Sequence, residues 1–322
     1  MSIVWDLRNW KQLVGDTLMT VALIDADIIA YRSIFLSGHT LDDDTDHDPI
    51  AVKTTVDHLI KEWMQKAKAG TSICCMSDPS HRYFRHDVYP EYKANRTGER
   101  PAALTTALDH IREKHRIAEY DGLEADDVMG VLAGSTTLSD PVVVSIDKDM
   151  MTIPGKMLNP SKMRRPLRIS KAAADRQVFM QALMGDRTDN YPGVEGIGPV
   201  KAQRIIEQHG DARRCWGAVV EAFGDEAQAI TMVRLSRILR AEDYNFDTGE
   251  IRLWHPIKPV WMKPTQHTTE KAELKPLTTS KPCLHQSSST DTALETSSNT
   301  SAATKKKTQH RRKRTLKKRG GI

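Results

Sequence analysis

The 322 residues, 39% of them hydrophobic, suffice for one large or two small folded domains, and no run of eighteen apolar residues is present to span a membrane. The first residues lack the basic, apolar, small-residue order of a secretory signal. The four cysteines, Cys74, Cys75, Cys215 and Cys283, lack metal-ligand spacing, which fits a reducing, intracellular setting. The net charge of +5 conceals a split: residues 256–322 carry 15 basic and 4 acidic side chains (+11), which leaves the other 255 residues at −6. A body of that sign can meet a polyanion only through local basic patches, with its acids partly neutralised by cations.

In chain order, residues 1–16 read as an amphipathic preface through Trp5, Leu7, Trp10 and Leu13. Thr20–Ala30 is apolar and β-rich and predicts the first central strand, with Asp25 and Asp27 on one side of it. An aspartate in an apolar run is costly unless paired or liganded, and ligands of α/β proteins gather at the carboxyl ends of strands. Asp25 is therefore a candidate ligand, while Asp27 divides between ligand and cap. Residues 38–49 form an acidic loop without the central Gly and closing Glu of a calcium loop, and read as solvated surface. Ile50–Ala69 has helical spacing, and Thr71–Met76 predicts a second strand with Asp78 just past its end.

Residues 81–100 mix bases and aromatics. Arg82, Arg85, Lys93, Arg96 and Arg100 can hold phosphates, and Tyr83, Phe84, Tyr89 and Tyr92 can stack on bases. Pro101 opens the next helix. Around 121–149, Glu124, Asp126 and Asp127 begin a helical pattern, and Asp147 and Asp149 follow the short apolar strand that starts at Pro141. Five carboxylates near two element ends repel one another unless cations lie among them. The hard oxygen donors suit Mg²⁺ or Mn²⁺, and the chemistry they suggest is that of a nucleic-acid enzyme. Two ions that bridge a phosphodiester need no serine or histidine nucleophile, and none of the twelve histidines has zinc spacing or triad context.

Residues 154–170 read as a β-rich basic loop, and 171–183 as a helix that delivers Asp186 and Asp189. Gly193, Gly196 and Gly198 then make a glycine-rich turn into a helix whose first turn holds Lys201. Such a turn lets backbone N–H groups approach a phosphate. Residues 215–239 are mostly helical, and 251–254 read as a last short strand. Residues 257–322 form a low-complexity tail, predicted to be disordered, whose residues 305–319 hold ten bases and no acid; nonspecific phosphate attraction is its natural role.

LIDAD at 23–27, YPEYKANR at 89–96, EADDVMG at 124–130, SIDKDM at 145–150 and GDRTDNYPGVEGIGPVKA at 185–202 together resemble the 5′-nucleases of the flap-endonuclease type. The resemblance covers about residues 20–225, in the family's order of motifs. Residues 237–256 are similar to the end of the stand-alone 5′-3′ exonuclease of T7-like bacteriophages. The resemblance implies an α/β fold: a central, mostly parallel sheet flanked by helices, with a helical lobe containing a helix-hairpin-helix element. The expected divisions are a nuclease core over 1–183 with a basic clamp segment at 81–100, the helix-hairpin-helix lobe over 184–256, and the tail over 257–322.

The resemblance further implies that Asp25, Asp78, Glu124, Asp126, Asp127, Asp147, Asp149, Asp186 and Asp189 surround two or more Mg²⁺ or Mn²⁺ ions. Lys93 and Arg96 match the family's catalytic basic pair. Arg82, Tyr89, Lys93, Arg96, Gly193, Gly196, Gly198 and Lys201 are expected to bind nucleic acid, with K⁺ able to sit on carbonyls of the hairpin turn. The implied activity is hydrolysis of DNA from 5′ ends, extending to flaps and RNA–DNA hybrids, beside phage replication proteins in a host cytoplasm. The stretch from Asn95 to Pro101 is too short for a long arch, which departs from the flap-threading pattern.

Overall fold

Short runs of β-branched and small apolar residues build the sheet, and their alternation explains why both of its faces are covered. The computed structural model describes residues 19–38, 47–96, 98 and 100–256; the preface at 1–16, most of the acidic loop and the tail at 257–322 lie outside the described residues. The strands are β1 (Thr20–Asp25), β2 (Thr71–Cys75), β3 (Ile117–Ala118), β4 (Asp140–Val144), β5 (Gly155–Leu158) and β6 (Leu167–Ile169), in the order β3-β2-β1-β4-β5-β6. All pair in parallel except β6, which runs antiparallel to β5. The chain moves outward from β1 through β2 to β3, then returns across β1 to β4. The β1/β4 boundary is thus the switch point at which α/β proteins place their sites.

The helices are α1 (Ala26–Leu36), α2 (Pro49–Lys66), α3 (Phe84–Val88), α4 (Ala102–Lys114), α5 (Ala125–Ala133), α6 (Lys171–Met184), α7 (Pro199–Glu207), α8 (Ala212–Phe223) and α9 (Glu226–Ser236). Ala22, Ile24, Cys74, Val142 and Val144 point to one face of the sheet, where Ile29 of α1, Val56 and Trp63 of α2 and Leu104 and Ile111 of α4 pack. The intervening Val21, Leu23, Ile73, Cys75 and Val143 face Val128, Met129 and Leu132 of α5. A third cluster belongs to the helical lobe: Val178, Phe179 and Leu183 of α6 meet Ile206, Cys215, Val219 and Val233, together with Tyr83 and Tyr92.

Two local expectations change. The first strand stops at Asp25, not Ala30, because the Asp25 carboxylate caps α1 by accepting from Ile28 N at 3.1 Å; Asp27 is therefore helical and does not share an extended face with it. Residues 251–254 form no strand; Ile251 makes an isolated bridge to Tyr244.

Between α6 and α7 lies a small hairpin of β7 (Gly185–Asp186) and β8 (Tyr191–Pro192). Its backbone crowding dictates two glycines. A Cβ on Gly193 would lie 2.2 Å from Met184 C and 2.4 Å from Leu183 O, and one on Gly185 would lie 2.2 Å from Gly193 N. Gly193 thus serves backbone-to-backbone packing. Gly196 (φ +72°) and Gly198 form the exposed part of the turn and lead into the N-terminus of α7.

Candidate active site

The carboxyl ends of the central strands set the first group of acids. Asp25 ends β1, and Ser145, just past β4, donates to its Oδ2 at 2.8 Å. Asp147 caps the short turn of helix that follows, accepting from Asp149 N at 2.9 Å, and Asp149 accepts from Gln181 of α6 at 2.6 Å. Burial, then Asp27, push the Asp25 carboxyl up to about 7; burial and Asp147, with smaller contributions from Asp186 and Asp189, push Asp149 up to about 7 as well. Asp149 therefore feels the charges of Asp147, Asp186 and Asp189. Asp186 lies on β7 and accepts from Thr188 N at 2.7 Å.

A second group stands at the start of α5. Glu124, Asp126 and Asp127 offer ligand atoms within 4.8 Å of one another. Enclosure in the site, then Asp127, push the Asp126 carboxyl well above its ordinary range. Its Oδ1 accepts from Asp127 N at 2.7 Å.

Lys93 joins the two groups. Its ammonium contacts Glu124 Oε1 and lies 3.6 Å from Asp189 Oδ1. Arg96 donates to the same Asp189 oxygen at 2.7 Å. Tyr92 donates to Glu124 Oε2 at 2.8 Å and stands 3.2 Å from Asp189 Oδ2. Burial would lower the Lys93 pKa, but Glu124 and Asp189 hold it above the usual lysine range, so the side chain is cationic. Its backbone sits in the left-handed region at φ 55° and donates to Asp189 O at 2.9 Å. A non-glycine residue held there is strain that the surrounding contacts must support.

The remaining expected residues are placed differently. Asp78 accepts from Ser80 N at 2.8 Å and Gly122 N at 2.7 Å; burial alone would raise its pKa, but these two amides hold it below the usual range, and both its oxygens clamp a turn. Asp127 is fully buried, gripped by Arg85 at 2.5 and 2.9 Å, and accepts from Leu239 N at 3.0 Å. Arg85 itself is only 2% exposed, so the expectation that it holds phosphate is overturned: α3 turns it inward onto Asp127, Glu124 and two carbonyls at the end of α9. Tyr83, Phe84 and Tyr92 are buried for the same reason and cannot stack on bases. Arg82 is exposed and paired with Asp87 at 2.5 Å, and Tyr89 is half-buried. Gly196, Gly198 and Lys201 lie exposed at the start of α7.

Sequence reading missed the supporting groups Tyr92, Ser145 and Gln181, and also Ser77, which donates to Asp27 at 2.5 Å and accepts from Ala125 N at 2.9 Å. Tyr92 and Ser145 lie inside the quoted motifs, so adjacency to Lys93 and Asp147 was the available signal. The donor set is all oxygen, and burial with neighbouring carboxylates raises the Asp25, Asp126 and Asp149 carboxyls above their ordinary range. That arrangement fits a hard divalent cation, which would relieve both effects.

A mostly parallel sheet with an acidic, lysine-bridged site at its switch point defines an α/β protein with an oxygen-rich site of the kind that suits hard cations. Comparison with known proteins gives the family. Residues 20–178 match the sequence model of the 5′-3′ exonuclease N-terminal, resolvase-like domain, and the chain belongs to the 5′-nuclease family. It is 30% identical over 218 residues to DNA polymerase I of Rhizobium leguminosarum, an alignment that covers 61% of this chain and 21% of the polymerase, so the chain spans about a fifth of that relative. It is 29% identical over 232 residues to the exodeoxyribonuclease of Enterobacteria phage T3, covering 61% of this chain and 77% of the phage protein. The fold is shared with a bacteriophage T5 flap endonuclease crystallised with DNA and metal ions, at a TM-score of 0.52 and 18% identity, over 68% of this chain and 89% of that one. Among the described residues no helix is long and apolar enough to cross a membrane.

Proposed function

We propose that this protein is a divalent-metal-dependent 5′-to-3′ exodeoxyribonuclease that hydrolyses phosphodiester bonds from 5′ ends of duplex DNA and leaves 5′-phosphate products. The observation that carries the reading is the Lys93 ammonium set between Glu124 and Asp189, with two groups of carboxylates on either side. Asp25, Glu124, Asp126, Asp147, Asp149, Asp186 and Asp189 would hold two or more ions, Mg²⁺ or Mn²⁺. When bound, the ions supply an acidified water and neutralise charge that develops on the phosphate.

The chain's own groups do the rest. Lys93 and Arg96 orient the scissile phosphate and meet its growing negative charge. Asp127 serves the site through Arg85, as the anchor under α5, and Asp78 shapes the turn before Tyr83. The turn at 193–198 and Lys201 grip duplex backbone away from the cut, as a helix-hairpin-helix element that can take K⁺ on its carbonyls. Arg82, exposed, and Tyr89, half-buried, are further candidates for nucleic-acid contact on the same segment as Lys93.

Four residues separate Arg96 from Pro101, which favours trimming of ends over threading of long flaps. RNA–DNA hybrids are a second substrate class, which suits primer removal beside phage replication proteins in a host cytoplasm. The experiment is cleavage of 5′-labelled duplex, flap and hybrid substrates with and without Mg²⁺. Mg²⁺-dependent release of short labelled products from the duplex is expected. Equal cleavage in EDTA, or release from the 3′ end only, would overturn the reading.

A further inference from the structure

We propose that Asp57, His110 and His115 form a binding site for a late transition-metal dication of the Zn²⁺ or Co²⁺ type, separate from the acidic site. The three residues come from different places in the chain. Asp57 lies mid-way along α2, His110 in the last turns of α4, and His115 is the residue that caps α4 before β3. Helix packing brings them together, and His110 Nε2 and His115 Nε2 converge on the same oxygen, Asp57 Oδ1, at 2.9 and 2.7 Å. The three ligand atoms lie within 4.8 Å of one another.

The donor chemistry separates this site from the acidic one. Two imidazoles and one carboxylate suit Zn²⁺, Co²⁺, Ni²⁺ or Cu²⁺, whereas the all-oxygen set at the strand ends suits Mg²⁺ and Mn²⁺. Metal–ligand bonds of about 2.0–2.2 Å at tetrahedral angles separate neighbouring ligand atoms by roughly 3.3–3.5 Å. The observed contacts need open by only about half an ångström. The outer ligand can provide that movement: the Asp57 side chain is 53% exposed, and His110 is held in the protein at 7%. The exposed side of Asp57 leaves room for water as a fourth ligand.

Position argues for a clip between helices. α2 and α4 pack on the face of the sheet opposite α5, which carries Glu124 and Asp126. An ion bound by both would join the two longest spans of that layer. Among the described residues buried His110 Nδ1 has no hydrogen-bond partner, so none of them supplies the carboxylate or carbonyl that usually supports a ligating imidazole from behind. Affinity is accordingly expected to fall below that of a closed structural zinc site.

The test uses the full chain stripped with EDTA and titrated with CoCl₂ and, separately, ZnCl₂. Visible absorption reads tetrahedral, nitrogen-bound Co²⁺, which octahedral, oxygen-bound Co²⁺ in the acidic site barely produces; thermal unfolding reads the clip. Asp57→Asn and His115→Gln are the variants, both at exposed or half-exposed positions that leave the sheet core intact. The expected result is a Co²⁺ band and a Zn²⁺-induced rise in Tm in the native chain, both lost in either variant, with Mg²⁺-dependent cleavage unchanged. An identical band and identical Tm rise in the native chain and His115→Gln, or no band and no rise in the native chain, would overturn the proposal.

Discussion

Arg85 holds Asp127 through both of its terminal nitrogens, at 2.5 and 2.9 Å, in a part of the protein that solvent does not reach. The pair joins three elements. Arg85 comes from α3 and Asp127 from α5, and Arg85 also donates to Leu235 O and Arg237 O at the end of α9. Gly130, one turn along α5, lets Leu239 O approach to within 2.1 Å of where a Cβ would stand. Glu124 and Asp126 thus stand at the start of a helix that a buried ion pair fastens from beneath.

Removing the cation should cost more than the surface arginines suggest. Arg85→Met leaves Asp127 and part of Glu124 without counter-charge in the interior, which should destabilise the fold by about 3–5 kcal/mol. Arg82→Ala, which loses only an exposed pair with Asp87, should stay within about 0.5 kcal/mol. Urea unfolding followed by circular dichroism measures both. A loss below about 1 kcal/mol for Arg85→Met would show that the pair is not an anchor.

Gly193 and Gly198 should separate in the same way. A Cβ at Gly193 collides with backbone at Leu183, Met184 and Gly185, none of which can yield without opening the hairpin that carries Asp186 and Asp189. Gly193→Ala is expected to cost on the order of 2 kcal/mol, and to lower cleavage along with stability. Among the described residues nothing lies within 4 Å of a Cβ at Gly198, so Gly198→Ala should fold normally and affect only substrate affinity. Thermal unfolding and duplex binding, measured on each variant, distinguish the two.

Asp149→Asn tests the acidic site with opposite signs on two readouts. Crowding and burial already push the Asp149 carboxyl up to about 7, so an uncharged amide relieves repulsion; the metal-free variant should be as stable as the native chain, or slightly more. Cleavage should nevertheless fall by roughly 100-fold or more, because a lost ligand misplaces an ion. DNA binding in Ca²⁺ should persist. Near-native turnover at limiting Mg²⁺ would remove Asp149 from the ligand set.

The acids that follow strands were legible because an apolar run ending in aspartate is a local pattern; Asp25, Asp147 and Asp149 all belong to it. The central strands were legible for the same reason, apart from the capping switch at Asp25, whereas the strand expected at 251–254 reduces to an isolated bridge. Segment 81–100 was not. Its composition shows that arginines and aromatics alternate, but which of them turn inward depends on the five-residue helix α3 and on partners as distant as Asp127 and Leu235. Tyr83, Phe84, Arg85 and Tyr92 therefore went inside while Arg82 and Arg96 stayed out. The meeting of Asp57 with His110 and His115 was equally invisible, since it arises from the packing of α2 on α4 and has no spacing signature.

Two lysines should divide the work of binding and rate. Lys93 is set among the carboxylates, in contact with Glu124 and 3.6 Å from Asp189, where negative charge on a reacting phosphate would grow. Lys201 is exposed in the first turn of α7, behind the open turn of Gly196 and Gly198. A cation at the reacting group gains strength in the transition state, so Lys93→Ala should lower the single-turnover rate at saturating enzyme, by roughly 100-fold or more. A cation on a remote phosphate interacts equally before and during reaction, so Lys201→Ala should weaken duplex binding and reduce its salt dependence, by about one unit of slope in log affinity against log salt, while the saturated rate holds. The two losses should be close to additive in the double variant if the side chains act on separate phosphates. Single-turnover cleavage of 5′-labelled duplex across enzyme concentrations, with affinity measured separately in Ca²⁺, gives both quantities. A pure binding defect in Lys93→Ala together with a rate defect in Lys201→Ala would reverse the assignment and place the reacting phosphate at the hairpin turn.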